Sequence, residues 1–177
     1  MRTRDEETGI EVYLLIILGV DPGIAVCGYG IIQAKGNRMQ CINYGTIKTD
    51  SCEAAQTRLK MVYQGIHQLI VEYAPDTSAI ESLFFCRNTK TAMQVGQAKG
   101  VIMLALAHQG VELFEYTPLQ VKQGICGYGG ADKQQVQSMV KRLLCLPEPP
   151  KPDDAADALG VAICHAQAHK LRRLTNR

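Results

Sequence analysis

The sequence predicts an α/β fold in which a five-stranded mixed sheet is flanked by helices on its faces. Three strand-like segments come first, and helices then alternate with two further strands. Of the 177 residues, 46% are apolar, which suits one well-filled core and is too little for two sizeable ones. The longest apolar run, at 12–20, has nine residues and is too short to cross a bilayer, so no membrane partner is expected.

The first half of the chain contains a predicted antiparallel meander. Residues 13–20 are almost continuously apolar, as expected for a central strand that is buried on both faces. Residues 25–34 and 39–48 flank the turn-rich tetrapeptide Lys35-Gly36-Asn37-Arg38, which predicts a hairpin. In such a sheet the first strand is usually central, and the functional site lies where strands end.

Periodicity and helix-breaking residues predict the remaining elements. Gly110 ends one helix, and a stiff proline-rich linker at 147–152 precedes the last helix, for which Asp153 is the expected N-cap. The predicted elements are helix 53–73, strand 78–83, helix 89–109, strand 111–116 and helices 118–125, 132–144 and 153–173.

The N-terminal residues differ from the rest of the chain. Residues 1–11 are polar, acidic and without periodicity, which predicts a disordered extension or a start site placed upstream of the true one. The apolar run that follows lacks a small-residue cleavage site, so a secretory signal is not expected.

Seven cysteines are scattered along the chain without a C-x-x-C pair. This pattern is typical of thiols in a reducing cytosol rather than of a disulfide framework or a zinc site. The sequence therefore predicts a cytoplasmic protein.

The formal net charge of +2 is unevenly distributed. The first eleven residues carry −2, so the remainder carries +4, and +8 is left when the four acids described next are set aside. Such an excess around one acidic focus suits a metal-dependent enzyme that acts on a polyanion, although charge alone favours ordinary solubility.

Four acids lie at the ends of predicted elements. Asp21 closes the first strand and precedes Pro22-Gly23, and Glu81 closes Ser78-Ala79-Ile80. Asp154 and Asp157, spaced i,i+3, project from one face of the last helix. Alanines on that helix would let it approach the sheet and bring its acids near Asp21.

Carboxylates that converge in this way need a cation. If two of them lie about 5 Å apart, their repulsion costs about 3 kcal/mol at an effective dielectric constant near 20. Oxygen ligands without His or Cys favour Mg²⁺ or Mn²⁺ over zinc, and four carboxylates fit two hydrated divalent ions. Such ions would activate a water and stabilise the leaving oxygen of a phosphodiester.

Each acid taken singly has another explanation. Asp21 before Pro-Gly suits a turn, and Asp154 and Asp157 suit the first turn of a helix. Glu81 is harder to explain in this way because it interrupts an apolar stretch. The ordered combination is therefore more specific than any of its members.

Five motifs in order closely resemble the RuvC family of bacterial Holliday-junction resolvases, and the resemblance runs from about Leu15 to about His169. They are Gly19-Val20-Asp21-Pro22-Gly23, Ile80-Glu81-Ser82-Leu83-Phe84, Gly96-Gln97-Ala98-Lys99-Gly100, Val121-Lys122-Gln123 and Asp154-Ala155-Ala156-Asp157-Ala158-Leu159.

The resemblance implies a ribonuclease-H-like fold and a homodimer that makes paired symmetric nicks in four-way junction DNA. It implies that Asp21, Glu81, Asp154 and Asp157 bind Mg²⁺, with two ions per subunit and Mn²⁺ as a substitute. Asp153 is the runner-up ligand, but the D-x-x-D spacing of the family selects Asp154. A branch-migration complex of the RuvA and RuvB type is the implied partner.

The same resemblance and, for Arg87, the local sequence suggest further DNA-contacting residues. Phe84 matches an aromatic that stacks on a junction base, Arg87 lies in a polar stretch suited to phosphates, and Lys122 and Lys133 match DNA- and phosphate-contacting lysines. Lys133 also follows a glycine-rich loop where helix amides could meet an anion. A core ring and ordinary surface charges are the alternative interpretations.

On this basis residues 1–13 are an extension, 14–173 a single ribonuclease-H-like nuclease domain and 174–177 a tail. Three rival functions remain. They are a nuclease of the same fold that acts on RNA or hybrids, an inactive junction-binding module and, more distantly, an actin-like ATPase, which needs a second similar domain.

Overall fold

The computed structural model describes residues 2–4, 11–82 and 89–175. The strands are β1 (Arg2–Arg4), β2 (Glu11–Asp21), β3 (Val26–Lys35), β4 (Arg38–Lys48), β5 (Thr77–Glu81) and β6 (Glu112–Tyr116). The helices are α1 (Ala55–Tyr73), α2 (Thr89–His108), α3 (Pro118–Cys126), α4 (Lys133–Leu143) and α5 (Asp153–Thr175).

The main sheet has five strands in the order β4-β3-β2-β5-β6, with β2 at its centre. The pairs β2–β3 and β3–β4 are antiparallel, whereas β2–β5 and β5–β6 are parallel. The predicted mixed five-stranded sheet with a central first strand is confirmed. The apolar run places Ile17, Leu18 and Val20 in the core with 0% exposure, because helices cover both faces of this strand.

The N-terminal segment is described in part. Arg2–Arg4 pairs antiparallel with residues 11–13, so β2 starts earlier than the apolar pattern predicts. Backbone pairing does not require apolar side chains, which is why hydrophobic periodicity gave no sign of β1. Disorder of the remainder of the extension stays a prediction.

Two hydrophobic clusters lie on opposite faces of the sheet. One contains Ile66 of α1 and Ile102 of α2 together with Leu18 and Val20 of β2. The other contains Leu159 and Ile163 of α5 with Ile17 of β2. The alternation along β2 therefore directs odd-numbered residues toward α5 and even-numbered residues toward α1 and α2.

Helix ends follow local chemistry. Gly110, with φ of +67°, follows α2, as its sequence position predicts. Thr117 and Asp132 form capping boxes with Gln120 and Gln135 at the starts of α3 and α4. Among the described residues, none of the helices combines the length and the apolar character needed to cross a membrane.

Candidate active site

Asp21 and Glu81 are the last residues of two adjacent parallel strands. Val20 and Ile80 are register partners, so the acids that follow them emerge side by side at one edge of the sheet. Ala79 packs in the α5-side cluster. Because side chains alternate along a strand, Glu81 faces the α5 side as well, and the two carboxylates share a face.

Asp154 reaches this edge because α5 lies directly on the strand backbone. Gly28 of β3 is the register partner of Asp21, and a Cβ atom at Gly28 would overlap the backbone carbonyl of Asp154. A Cβ atom at Gly19 would overlap the carbonyl of Ala158, one turn further along the helix. Two glycines therefore set the distance between α5 and the sheet and place Asp154 beside Asp21.

The four acids influence one another electrostatically. Burial, and after it the charges of Asp157, Glu81 and Asp154 in that order, together raise the pKa of Asp21 from 3.8 to about 7. Burial and the charge of Asp157 raise the pKa of Glu81. Burial is also the largest cause of the raised pKa of Asp157. The structure thus brings together the four acids that the sequence singles out.

Two lysines lie beside the acids. A cleft of about 260 Å³ is lined by Glu81 and Asp157 together with Lys122 of α3 and Lys133 of α4. The charge of Lys122 opposes the rise in the pKa of Glu81, and that of Lys133 opposes the rise for Asp21 and Asp157. The cleft therefore combines a recessed negative centre with cations at its wall, an arrangement that suits a phosphodiester.

The donor chemistry fits a hard divalent cation. The clustered groups are carboxylates, and the raised pKa of Asp21 shows that an added positive charge there would be stabilised. Within residues 2–4, 11–82 and 89–175, no three His, Cys, Asp or Glu side chains are grouped tightly enough to hold an ion as they lie. The assignment of the four acids as metal ligands stays a prediction.

Asp153 does not serve as the N-cap of α5. It is the first residue of the helix, and the carbonyl of Pro152 accepts the amides of Ala155 and Ala156. Its carboxylate instead accepts the Lys133 ammonium at 2.8 Å and Gln137 Nε2 at 2.9 Å. The N-cap prediction is wrong because Asp153 has partners on α4, which local sequence does not show.

The start of α4 is capped by side chains, whereas the glycine-rich loop before it suggested a helix end with amides open to an anion. Asp132 accepts the Gln135 amide at 2.9 Å, and Gln135 Oε1 accepts the Asp132 amide at 3.0 Å and the Tyr128 hydroxyl at 2.6 Å. A capping carboxylate already occupies this helix end. Lys133 therefore contributes through its side chain rather than through exposed amides.

His165 is buried away from the acids. Its Nδ1 is hydrogen-bonded to the Tyr116 hydroxyl at 2.8 Å, and its Nε2 to Thr77 Oγ1 at 3.1 Å. Burial lowers its pKa to about 4, so the ring is neutral near pH 7. It stacks on Phe114 with ring centroids 4.6 Å apart, in a structural role.

Two predicted DNA contacts, Phe84 and Arg87, lie outside the described residues. Conversely, sequence reasoning missed the contribution of Gly19, Gly28 and Gln137. The alternation Gly28-Tyr29-Gly30 within a strand is the signal that could have revealed the close approach of a helix.

A mixed five-stranded sheet with acids at the ends of its central strands and on the helix that covers them defines a ribonuclease-H-like nuclease. The sequence model of one such family, described as crossover junction endodeoxyribonuclease RuvC, matches residues 17–165. The chain belongs to this RuvC family. Membership implies a nuclease that depends on a divalent metal.

Similar proteins share nearly the full length of the chain. The crossover junction endodeoxyribonuclease RuvC of Natranaerobius thermophilus is 63% identical over 158 residues, which are 89% of this chain and 98% of that protein. The one from Alkaliphilus oremlandii is 59% identical over 152 residues, 86% of this chain and 93% of that protein.

A solved structure is also similar to this chain over nearly its full length. The RuvC of Thermus thermophilus, in complex with a Holliday junction substrate, has a TM-score of 0.87 at 33% identity and covers 89% of this chain and 96% of its own. The expected ribonuclease-H-like fold is confirmed.

Proposed function

We propose that this chain is a Mg²⁺-dependent, structure-selective endodeoxyribonuclease that resolves Holliday junctions by paired symmetric nicks during DNA recombination and repair. Membership in the RuvC family supports the activity, and the Thermus relative in complex with a Holliday junction substrate supports the substrate. The observation that carries the proposal is the convergence of three further carboxylate charges on Asp21 at one edge of the sheet.

The four acids are the proposed metal ligands. Asp21, Glu81, Asp154 and Asp157 offer oxygen donors for two Mg²⁺ ions per subunit, with Mn²⁺ as a substitute. When bound, the ions supply Lewis-acid stabilisation and a water nucleophile of lowered pKa. The chain holds the carboxylates on two strand ends and one helix, so their spacing is fixed by the fold rather than by a loop.

The lysines act on the substrate. Lys122 and Lys133 line the same cleft as Glu81 and Asp157, where they bind the phosphate backbone. Lys133 offsets the charge that develops on the phosphate during attack. Phe84 stacks on a junction base, by resemblance to the family, and Arg87 contacts phosphate, as its polar sequence neighbourhood suggests.

The proposed homodimer and its partner are carried over from the RuvC family. A homodimer places two such sites on one four-way junction, which accounts for paired cuts. The partner is a branch-migration complex of the RuvA and RuvB type, the location is the cytoplasm, and residues 14–173 make up the single nuclease domain.

Asp21→Asn tests this function. The substitution keeps shape and removes the central carboxylate charge, so cleavage of a synthetic four-way junction in Mg²⁺ should fall by about a thousandfold or more. Junction affinity, measured by gel shift in EDTA, should remain within about twofold. Glu148→Gln, which removes an exposed acid from the 147–152 linker, is the matched control and should cleave normally.

Nick positions should be mapped on both strands, beside a linear duplex and an RNA–DNA hybrid. Symmetric nicks confined to the junction support the proposal. Full cleavage by Asp21→Asn, or preferential cutting of the hybrid by the unaltered protein, would overturn it.

A further inference from the structure

The carboxylate of Asp153 joins the N-terminal part of α4 to the first turn of α5. Lys133 Nζ lies 2.8 Å from its Oδ2, and Gln137 Nε2 donates to its Oδ1 at 2.9 Å. Lys133 and Gln137 are four residues apart and so lie on the same face of α4. Both oxygens of one carboxylate are therefore used to attach α4 to α5 at the end of the molecule that carries the acids.

Lys133 is the functional group that this contact fixes. A lysine has a flexible four-carbon stem, and 55% of the Lys133 side chain is exposed, so it would sample many rotamers without a partner. In the structure its ammonium is held where its charge acts on Asp21 and Asp157, and it lines the same cleft as Glu81. The partner that selects this orientation is Asp153.

We propose that Asp153 is a positioning residue for the cleavage reaction, which holds the Lys133 ammonium at the mouth of the acid cleft before DNA binds. The inference rests on the proposed function, because it gives Asp153 a role in the same reaction. Asp153 is not among the described residues that line the cleft, and it precedes the D-x-x-D motif. It therefore acts through Lys133 and not on the substrate.

A competing explanation is that Asp153 serves only the helix. An acid in the first turn of a helix is stabilised by the macrodipole, whatever lies across from it. The two explanations differ in one respect. An effect through the helix is the same with or without Lys133, whereas an effect through Lys133 disappears when the lysine is replaced.

A double-mutant cycle separates them. Single-turnover cleavage of a four-way junction in Mg²⁺ is measured for the unaltered protein, Asp153→Ala, Lys133→Met and the double variant. Asp153→Ala should slow cleavage about threefold to fivefold, the range open to an exposed ion pair, with junction affinity unchanged. In the Lys133→Met background it should have no further effect, and Asp153→Glu should restore part of the rate.

Equal slowing in both backgrounds would overturn the proposal, as would an unchanged rate in Asp153→Ala. Glu148→Gln controls for the loss of one negative charge from the surface. Failure of the unaltered protein to cut any junction would instead overturn the proposed function.

A second measurement does not depend on activity. The lysines are reductively methylated with a ¹³C label, and the Lys133 resonance is assigned by its absence in Lys133→Met. The hydrogen bond to Asp153 raises the pKa of Lys133, so this pKa should drop in Asp153→Ala and stay unchanged in Glu148→Gln. An unchanged Lys133 titration in Asp153→Ala would show that the contact does not hold the lysine.

Discussion

The two faces of the central sheet are packed in different ways. On one face, α1 and α2 cover the strands through large aliphatic side chains such as Ile66 and Ile102, both fully buried. On the other, α5 lies against the backbone of β2 and β3 at Gly19 and Gly28. The aliphatic face, covered by α1 and α2, depends on large buried side chains, whereas the glycine face, covered by α5, fixes the position of a helix that carries two of the four acids.

Gly28→Ala tests the contact on the glycine face. The new methyl group would overlap the Asp154 carbonyl, which is backbone and cannot rotate away, so α5 must move off the sheet. We expect a loss of about 3 kcal/mol in the free energy of unfolding and about a hundredfold lower junction cleavage by the protein that remains folded. Urea unfolding and cleavage rates normalised to folded protein measure the two effects, and normal cleavage would contradict the role of this contact.

Ile66→Ala makes the corresponding change on the aliphatic face. Loss of a fully buried side chain should reduce the free energy of unfolding by about 3 kcal/mol through lost burial and a cavity. Cleavage per folded molecule should stay within about twofold of normal, because no acid is attached to this face. A large loss of cleavage without loss of folded protein would show that the two faces are not separable.

Asp21 gives a pH-dependent prediction for the metal-free protein. Its pKa in the fold, about 7, is above its ordinary value of 3.8, so the folded state favours the protonated acid. The stability linked to that proton is present at low pH and is lost as pH rises from about 4 through 7.

In EDTA, the stability advantage of Asp21→Asn over the unaltered protein should therefore grow by about 2 kcal/mol between pH 5 and pH 8. His165 titrates in both proteins, so the difference reports Asp21 together with its charge coupling to the neighbouring acids. Saturating Mg²⁺ should remove most of the difference, and a constant difference across this range would contradict the burial and charge coupling of Asp21.

The smallest expected effect is that of Gly100→Ala on α2. A Cβ atom at this position meets no atom within 4 Å, so only the gain in helix propensity remains. The free energy of unfolding should rise by about 0.5–1 kcal/mol, measured by urea unfolding. A decrease would mean that this exposed surface of α2 is in contact with something in solution, and the contrast with Gly28 would then need revision.

Much of the fold could be predicted because its signals are local. The continuous apolar run predicts the central strand, and the tetrapeptide Lys35-Gly36-Asn37-Arg38 predicts the hairpin that the structure shows. Gly110 marks the end of α2 within two residues. The strand β1 and the partners of Asp153 could not be predicted, since both depend on groups that are distant in the chain or on backbone alone.

By itself, the sequence determined which residues are chemically able to form the site: four acids at the ends of strands and in an i,i+3 pair, with lysines nearby in the order typical of the RuvC family. Tertiary structure alone decided how they meet. The register of β2 and β5 places Asp21 beside Glu81, and the close contact of α5 at Gly28 places Asp154 beside Asp21. The packing of α5 beside α4 pairs Asp153 with Lys133. The physical reason is that type and spacing are properties of the chain, whereas burial and the coupling of charges arise only when distant segments pack together.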